Sequence, residues 1–165
     1  MKPSTFSARR RKTLATALIM PLASAVASLA HAQAQPVVEV WKSPTCGCCN
    51  DWIKHLEQAG FTVRANDSGN TAVRNKLGMP NRYASCHTAL VAGYVVEGHV
   101  PAADIRRLLA DKPKALGLAV PDMPIGSPGM DGPAYGNRIE PYDVLLIGTD
   151  GKSTVFNSHG KAKQK

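Results

Sequence analysis

A chain of 165 residues that is 44% hydrophobic, 19% charged and 5% aromatic can bury one ordinary core, and it carries no repeat or long low-complexity run. Its formal net charge of +8 invites a nucleic-acid reading, but five of the 20 basic residues and none of the 12 acidic ones fall in the first twelve positions, and without them the net is +3. No basic stripe with interleaved aromatics remains, so nucleic-acid binding is not expected.

The first segment reads as an export signal. Lys2, Arg9, Arg10, Arg11 and Lys12 form a basic leader, and a weakly apolar run extends from Thr13 to Ala30. Ala30-His31-Ala32 and Ala32-Gln33-Ala34 each fit a small-x-small cleavage site. A membrane anchor is the weaker reading, because the run is rich in Ala and Ser and Pro21 interrupts it. Residues 1–34 are therefore expected to be removed, leaving a periplasmic protein with no membrane segment. Arg10-Arg11 before Leu14 leaves the ordinary secretory and twin-arginine routes both open. What remains is about 130 residues, one compact domain over 35–160 with a basic tail at 161–165.

In chain order, Val37 to Trp41 predicts a buried strand, β-branched and almost uncharged. Asn50 to Ala59 predicts a helix with Trp52, Ile53, Leu56 and Ala59 on one side and Gly60 as its stop. Phe61 to Arg64 predicts a second strand, and Thr71 to Leu77 a short helix ended by Gly78 and Pro80. Thr88 to Val91 and Tyr94 to Val96 read as paired strands about Gly93. Pro101 opens a helix whose apolar face is Ile105, Leu108 and Leu109, and Pro113 closes it. A long Pro/Gly-rich loop follows from Val120 to Tyr142. A last hairpin joins Asp143–Ile147 to Ser153–Phe156 through Thr149-Asp150-Gly151. The alternation is an α/β pattern.

The chemistry concentrates in Ser43-Pro44-Thr45-Cys46-Gly47-Cys48-Cys49-Asn50, which holds three of the four cysteines. A strand delivers these thiols to a helix N-terminus, where unpaired N–H groups and the helix dipole favour thiolates. Thiolates are nucleophiles and soft-metal ligands, and three readings compete. A structural disulfide is the bland one, and it leaves a thiol without a local partner. A thiol–disulfide oxidoreductase would use the C-x-x-C pair, Cys46 and Cys49, as in the thioredoxin pattern of strand, C-x-x-C and helix. A soft-metal site would give the additional Cys48 a role. Adjacent Cys48 and Cys49 point in different directions. They suit bridging several ions in a polynuclear thiolate–Cu(I) cluster better than chelating one structural zinc.

Cys86 sits where a thioredoxin-like chain enters its third strand, normally with a proline, and it is expected to close on Cys46, Cys48 and Cys49. Its neighbour His87 can ligate or support. Met123 and Met130 lie in a polar Pro/Gly loop where their thioethers could reach Cu(I), although packing alone would also account for them. His99 could reach the site, with capping or solvation as the plainer roles. His55 reads as a surface residue, and Trp41 and Trp52 as core.

Four motifs in order carry a resemblance: Val-Trp-Lys-Ser-Pro-Thr-Cys-Gly-Cys-Cys from Val40, Ala-Ser-Cys-His-Thr-Ala from Ala84, Val-Glu-Gly-His-Val-Pro from Val96, and Met-Pro-Ile-Gly-Ser-Pro-Gly-Met from Met123. Together they resemble the CopG-type proteins, exported bacterial metal-binding proteins associated with copper resistance. The resemblance spans about Val37 to His159. It implies a thioredoxin-like α/β fold, here with an added C-terminal β-hairpin and the long Pro/Gly/Met loop, and a cysteine-bridged copper cluster held by Cys46, Cys48, Cys49 and Cys86. It also implies copper efflux or chaperone proteins as partners. The expectation is a non-enzymatic protein that sequesters or relays Cu(I). The alternatives are a periplasmic oxidoreductase working through Cys46 and Cys49, and a zinc-stabilised module.

Overall fold

The computed structural model describes residues 36–160; the leader at 1–34 and the basic tail at 161–165 lie outside them. Seven strands form one sheet in the order β2-β1-β3-β4-β5-β6-β7. The first unit is β1 (Val38–Lys42), α1 (Gly47–Gln58) and β2 (Val63–Asn66), with β2 parallel to β1. After α2 (Thr71–Lys76) comes β3 (His87–Val91), antiparallel to β1, and its hairpin partner β4 (Tyr94–Glu97). A crossover through α3 (Ala102–Asp111) places β5 (Gly117–Ala119) parallel to β4. The hairpin of β6 (Tyr142–Ile147) and β7 (Ser153–His159) completes the far edge.

Strand periodicity explains the layers. Neighbouring strand residues face opposite sides of a sheet. Accordingly Val96 and Leu118 join one apolar cluster, while Val95 and Ala119 join another. The larger cluster takes Val38 and Val40 from β1, Trp52 and Leu56 from α1, and Ile105 and Leu108 from α3. The smaller takes Met79 and Tyr83 from the segment after α2, with Ile147 from β6. Each of these large side chains contributes roughly 1.5–3 kcal/mol by leaving water.

Most expected elements are present with shifted ends. The strand at β5 was not foreseen, because three residues of Gly, Leu and Ala carry no periodic signal. Helix α1 begins at Gly47, three residues before the expected start. That shift places Cys46 as the N-cap and Cys48 and Cys49 inside the first turn. Trp52 is core, whereas Trp41 is only half-buried. No helix among the described residues is long and apolar enough to cross a membrane.

Candidate metal centre

The site forms where the end of β1, the first turn of α1, the entry to β3 and the exit of β4 meet. Cys46 receives the α1 backbone, its carbonyl accepting from Asn50 N–H at 3.3 Å. Cys46 and Cys49 are joined by a disulfide, and Cys48 and Cys86 are free. The Cys48 sulfur lies 3.6 Å from that of Cys46 and 4.0 Å from that of Cys86. All four sulfurs fall within 4.8 Å of one another. Two sulfurs on one tetrahedral ion stand roughly 3.7 Å apart, given metal–sulfur bonds of about 2.3 Å. The Cys46–Cys48 and Cys48–Cys86 pairs already have that spacing. The disulfide must take up two electrons and two protons before Cys46 and Cys49 can ligate together.

Two histidines complete the group. His99 is fully buried; its Nδ1–H donates to the Pro128 carbonyl at 2.7 Å. That bond fixes the tautomer and leaves the Nε2 lone pair facing the Cys86 sulfur at 3.0 Å. His87, also fully buried, brings Nδ1 to 3.3 Å from the same sulfur. Its ring lies 4.2 Å from Trp52 and 5.1 Å from His99. Its Nε2 is buried with no hydrogen-bond partner among the described residues. Leaving such an atom unpaired costs about 1–3 kcal/mol. Cys86, His87 and His99 thus form a second close set of donors that shares Cys86 with the first.

Burial sets the charge state. It lowers His99 from its ordinary value and holds His87 well below it, with His99 as the second cause for His87. Both imidazoles are therefore neutral near pH 7, the form that binds metal. Burial, then the neighbouring Cys48 sulfur, pushes the Cys86 thiol up to about 12. Cys86 thus keeps its proton until a cation displaces it.

A buried polar network holds the Cys86 segment. Glu97 accepts from Ser85 N–H at 2.8 Å, Thr88 Oγ1–H at 2.6 Å and Arg74 at 3.4 Å, so one carboxylate grips both flanks of Cys86-His87. Asn70 Nδ2 donates to the Ser85 carbonyl at 3.1 Å from the other side. Gly98 lets this segment approach: at φ +71°, a Cβ there would stand 2.5 Å from Ser85 Oγ and 2.4 Å from the Val120 carbonyl.

The methionine loop lies over the cysteines through its backbone. Gly129, at φ +86°, packs so closely on α1 that a Cβ would stand 2.5 Å from the Cys48 carbonyl. Met123 is 47% exposed and lines a cavity together with Cys86. Met130 is half-buried in a turn, its N–H donating to the Ser127 carbonyl at 2.8 Å.

Two histidines differ from the sequence expectation. His99 is a buried neighbour of Cys86; the available signal was its place in Glu-Gly-His directly after a strand. His55 is half-buried, and its Nε2 accepts from Ala102 N–H at 3.1 Å, capping α3. Glu97 and Asn70 were missed, because a strand-end Glu and a loop Asn look like ordinary surface residues in sequence.

A mixed α/β fold that gathers four cysteines and two histidines at one junction has the donors of a metal-binding protein. The comparisons with known proteins agree. A family described as a protein of unknown function, DUF411, matches residues 83–130, which contain Cys86, His87, His99 and both loop methionines but not the three clustered cysteines. Two solved structures are similar over nearly their whole length. One described as copper resistance protein copG, form 2, is 42% identical, with a TM-score of 0.70, covering 76% of this chain and 98% of that one. Form 1 of the same description is 41% identical, with a TM-score of 0.71, covering 77% and 99%. No curated protein matches. The chain belongs to the CopG family of copper resistance proteins.

Proposed function

We propose that the protein is exported to the periplasm and sequesters or relays Cu(I) in copper tolerance, holding several ions through bridging thiolates of Cys46, Cys48, Cys49 and Cys86. The observation that carries this reading is the gathering of four sulfurs within 4.8 Å, with His99 Nε2 turned onto Cys86. The donor set fits a soft monovalent cation: thiolates bridge, and imidazoles complete open coordination positions. His87 Nδ1, 3.3 Å from the Cys86 sulfur, is the nitrogen of that ring that faces the cluster. In binding, the thiol protons leave to solvent and copper keeps its oxidation state.

A thioredoxin-like origin of the scaffold is part of the proposal. It is supported by the order β2-β1-β3-β4 with β3 antiparallel, by α1 and α3 sharing an apolar cluster, and by the delivery of a C-x-x-C from β1 to α1. The Cys46–Cys49 disulfide favours a second reading, a thiol–disulfide oxidoreductase with Cys46 as attacking and Cys49 as resolving thiol.

Two substitutions separate these readings. The full chain, reduced and kept from oxygen, is titrated with Cu(I) and its metal content measured. The copper reading expects more than one ion per chain, and loss of most of this capacity in both Cys48→Ser and Cys86→Ser. The oxidoreductase reading expects both variants to retain dithiol exchange and the parent to take up little copper.

A further inference from the structure

Cys46, Cys48 and Cys86 are half-buried and Cys49 is buried, so an incoming ion approaches by the surfaces that lead to the first three. A cavity of about 390 Å³ reaches Cys86 and opens to solvent; Asn70, Arg74, Ser85, Asp122 and Met123 also line it. A second cavity of about 530 Å³ adjoins it, sharing Asp122 and Met123 and adding the carboxylates of Glu140 and Asp143. Met123 therefore stands on the wall that the two cavities share, one of which reaches Cys86.

Its position is fixed by backbone. Asp122 adopts φ +60°, unusual for a residue with a side chain. Its N–H donates to the Ala84 carbonyl at 3.4 Å, and its own carbonyl accepts from Ser85 Oγ–H. The loop is thereby tied to the segment that carries Cys86. The large apolar side chains left exposed among the described residues are Val37, Met123, Ile139 and Val155. Met123 alone of these carries a donor atom, and methionine is ordinarily buried as a gap-filler.

Resting on the copper reading above, we propose that Met123 is the entry ligand of the centre: its thioether takes an incoming soft monovalent cation where the two cavities meet and hands it to Cys86. A neutral thioether binds such a cation weakly and releases it readily, whereas a thiolate binds it strongly, so the exchange runs downhill. One metal–thioether bond breaks, one metal–thiolate bond forms, the Cys86 proton passes to solvent and no electron moves. The surrounding carboxylates raise the local cation concentration. Arg74, the cation on the cavity wall, is paired with Glu97.

The test follows Cu(I) transfer from a coloured Cu(I) chelate to the reduced full chain by stopped flow, with final content by elemental analysis. Met123→Leu keeps volume and removes the donor. It is expected to load about tenfold more slowly, the equivalent of one lost weak contact at the barrier, and to reach the same final content. Met123→His, which restores a donor, is expected to recover most of the rate. Loading of Met123→Leu at the parent rate overturns the proposal. A fall in its final content overturns it also, by making Met123 a member of the cluster itself. A parent chain that takes up no Cu(I) defeats the copper reading, and this one with it, which is a different signature from either.

Discussion

Among the described residues, a half-buried histidine cluster at the sheet edge and a buried one at the cysteines differ in how they are closed. At the far edge of the sheet, Asp104 of α3 accepts from Asn157 Nδ2 at 2.7 Å through one oxygen and from His159 Nε2–H at 2.7 Å through the other. Asn157 Oδ1 is taken by Ser158 N–H at 2.9 Å, and the His159 ring stacks on Tyr142 at 5.1 Å. The polar groups there find partners among themselves and tie the last strand to α3. At the cysteine junction, His99 is locked on one nitrogen and faces the Cys86 sulfur with the other, while His87 turns Nδ1 onto the same sulfur. Satisfied networks hold structure; imidazole nitrogens turned onto a convergence of sulfurs are coordination capacity.

The largest expected effect breaks the open cluster alone. His99→Phe fills the same space without a donor. It should weaken Cu(I) binding by about 10–100-fold, the usual consequence of losing a donor or its immediate support at a metal site. A competitive chelator titration measures this; the thermal midpoint falls as well, because the buried Pro128 carbonyl loses its donor. If His99→Phe bound Cu(I) as tightly as the parent while melting lower, His99 would belong with the structural cluster.

The closed cluster should respond in the opposite way. Asp104→Ala strips the acceptor from Asn157 and His159. It should cost about 2 kcal/mol of unfolding free energy, less than two full desolvation penalties because His159 is reachable by water. Urea denaturation reads that loss, and Cu(I) affinity should stay at the parent level. A loss of affinity comparable to that of His99→Phe would dissolve the distinction between the two clusters.

The same contrast explains what could be read from sequence. Cys46, Cys48, Cys49 and Cys86 were legible because cysteine is scarce here and three lie in four positions, whatever the fold. β1, β3 and β4 were legible as short β-branched apolar runs, and the apolar faces of α1 and α3 because their period repeats over several residues. His99 was ambiguous, because its burial depends on Gly98 admitting the Ser85 side and on the Pro128 carbonyl arriving from 29 residues away. The Asp104–His159 pairing spans 55 residues and joins α3 to the last strand, which no local pattern encodes. The disulfide between Cys46 and Cys49 was one of three open alternatives, since spacing alone suits a disulfide, a redox pair and a ligand pair equally.

The smallest effect concerns acid. His87 and His99 are both lowered by burial, and so is His55. As pH falls below the ordinary value of 6.5, the unfolded chain takes up protons that these folded imidazoles refuse. Stability of the metal-free protein should therefore be full above that pH and decline beneath it, each histidine adding at most ~1.4 kcal/mol per pH unit. Glu97, raised by burial, acts in the opposite sense just above the ordinary carboxylate range. The informative quantity is therefore the difference between variants. His99→Phe, which removes one of the three protons at issue, should flatten the decline in urea midpoint between pH 7.5 and 5. An unchanged slope would mean that His99 charges freely in the folded state, and that its Nε2 is not reserved for a cation at the Cys86 sulfur.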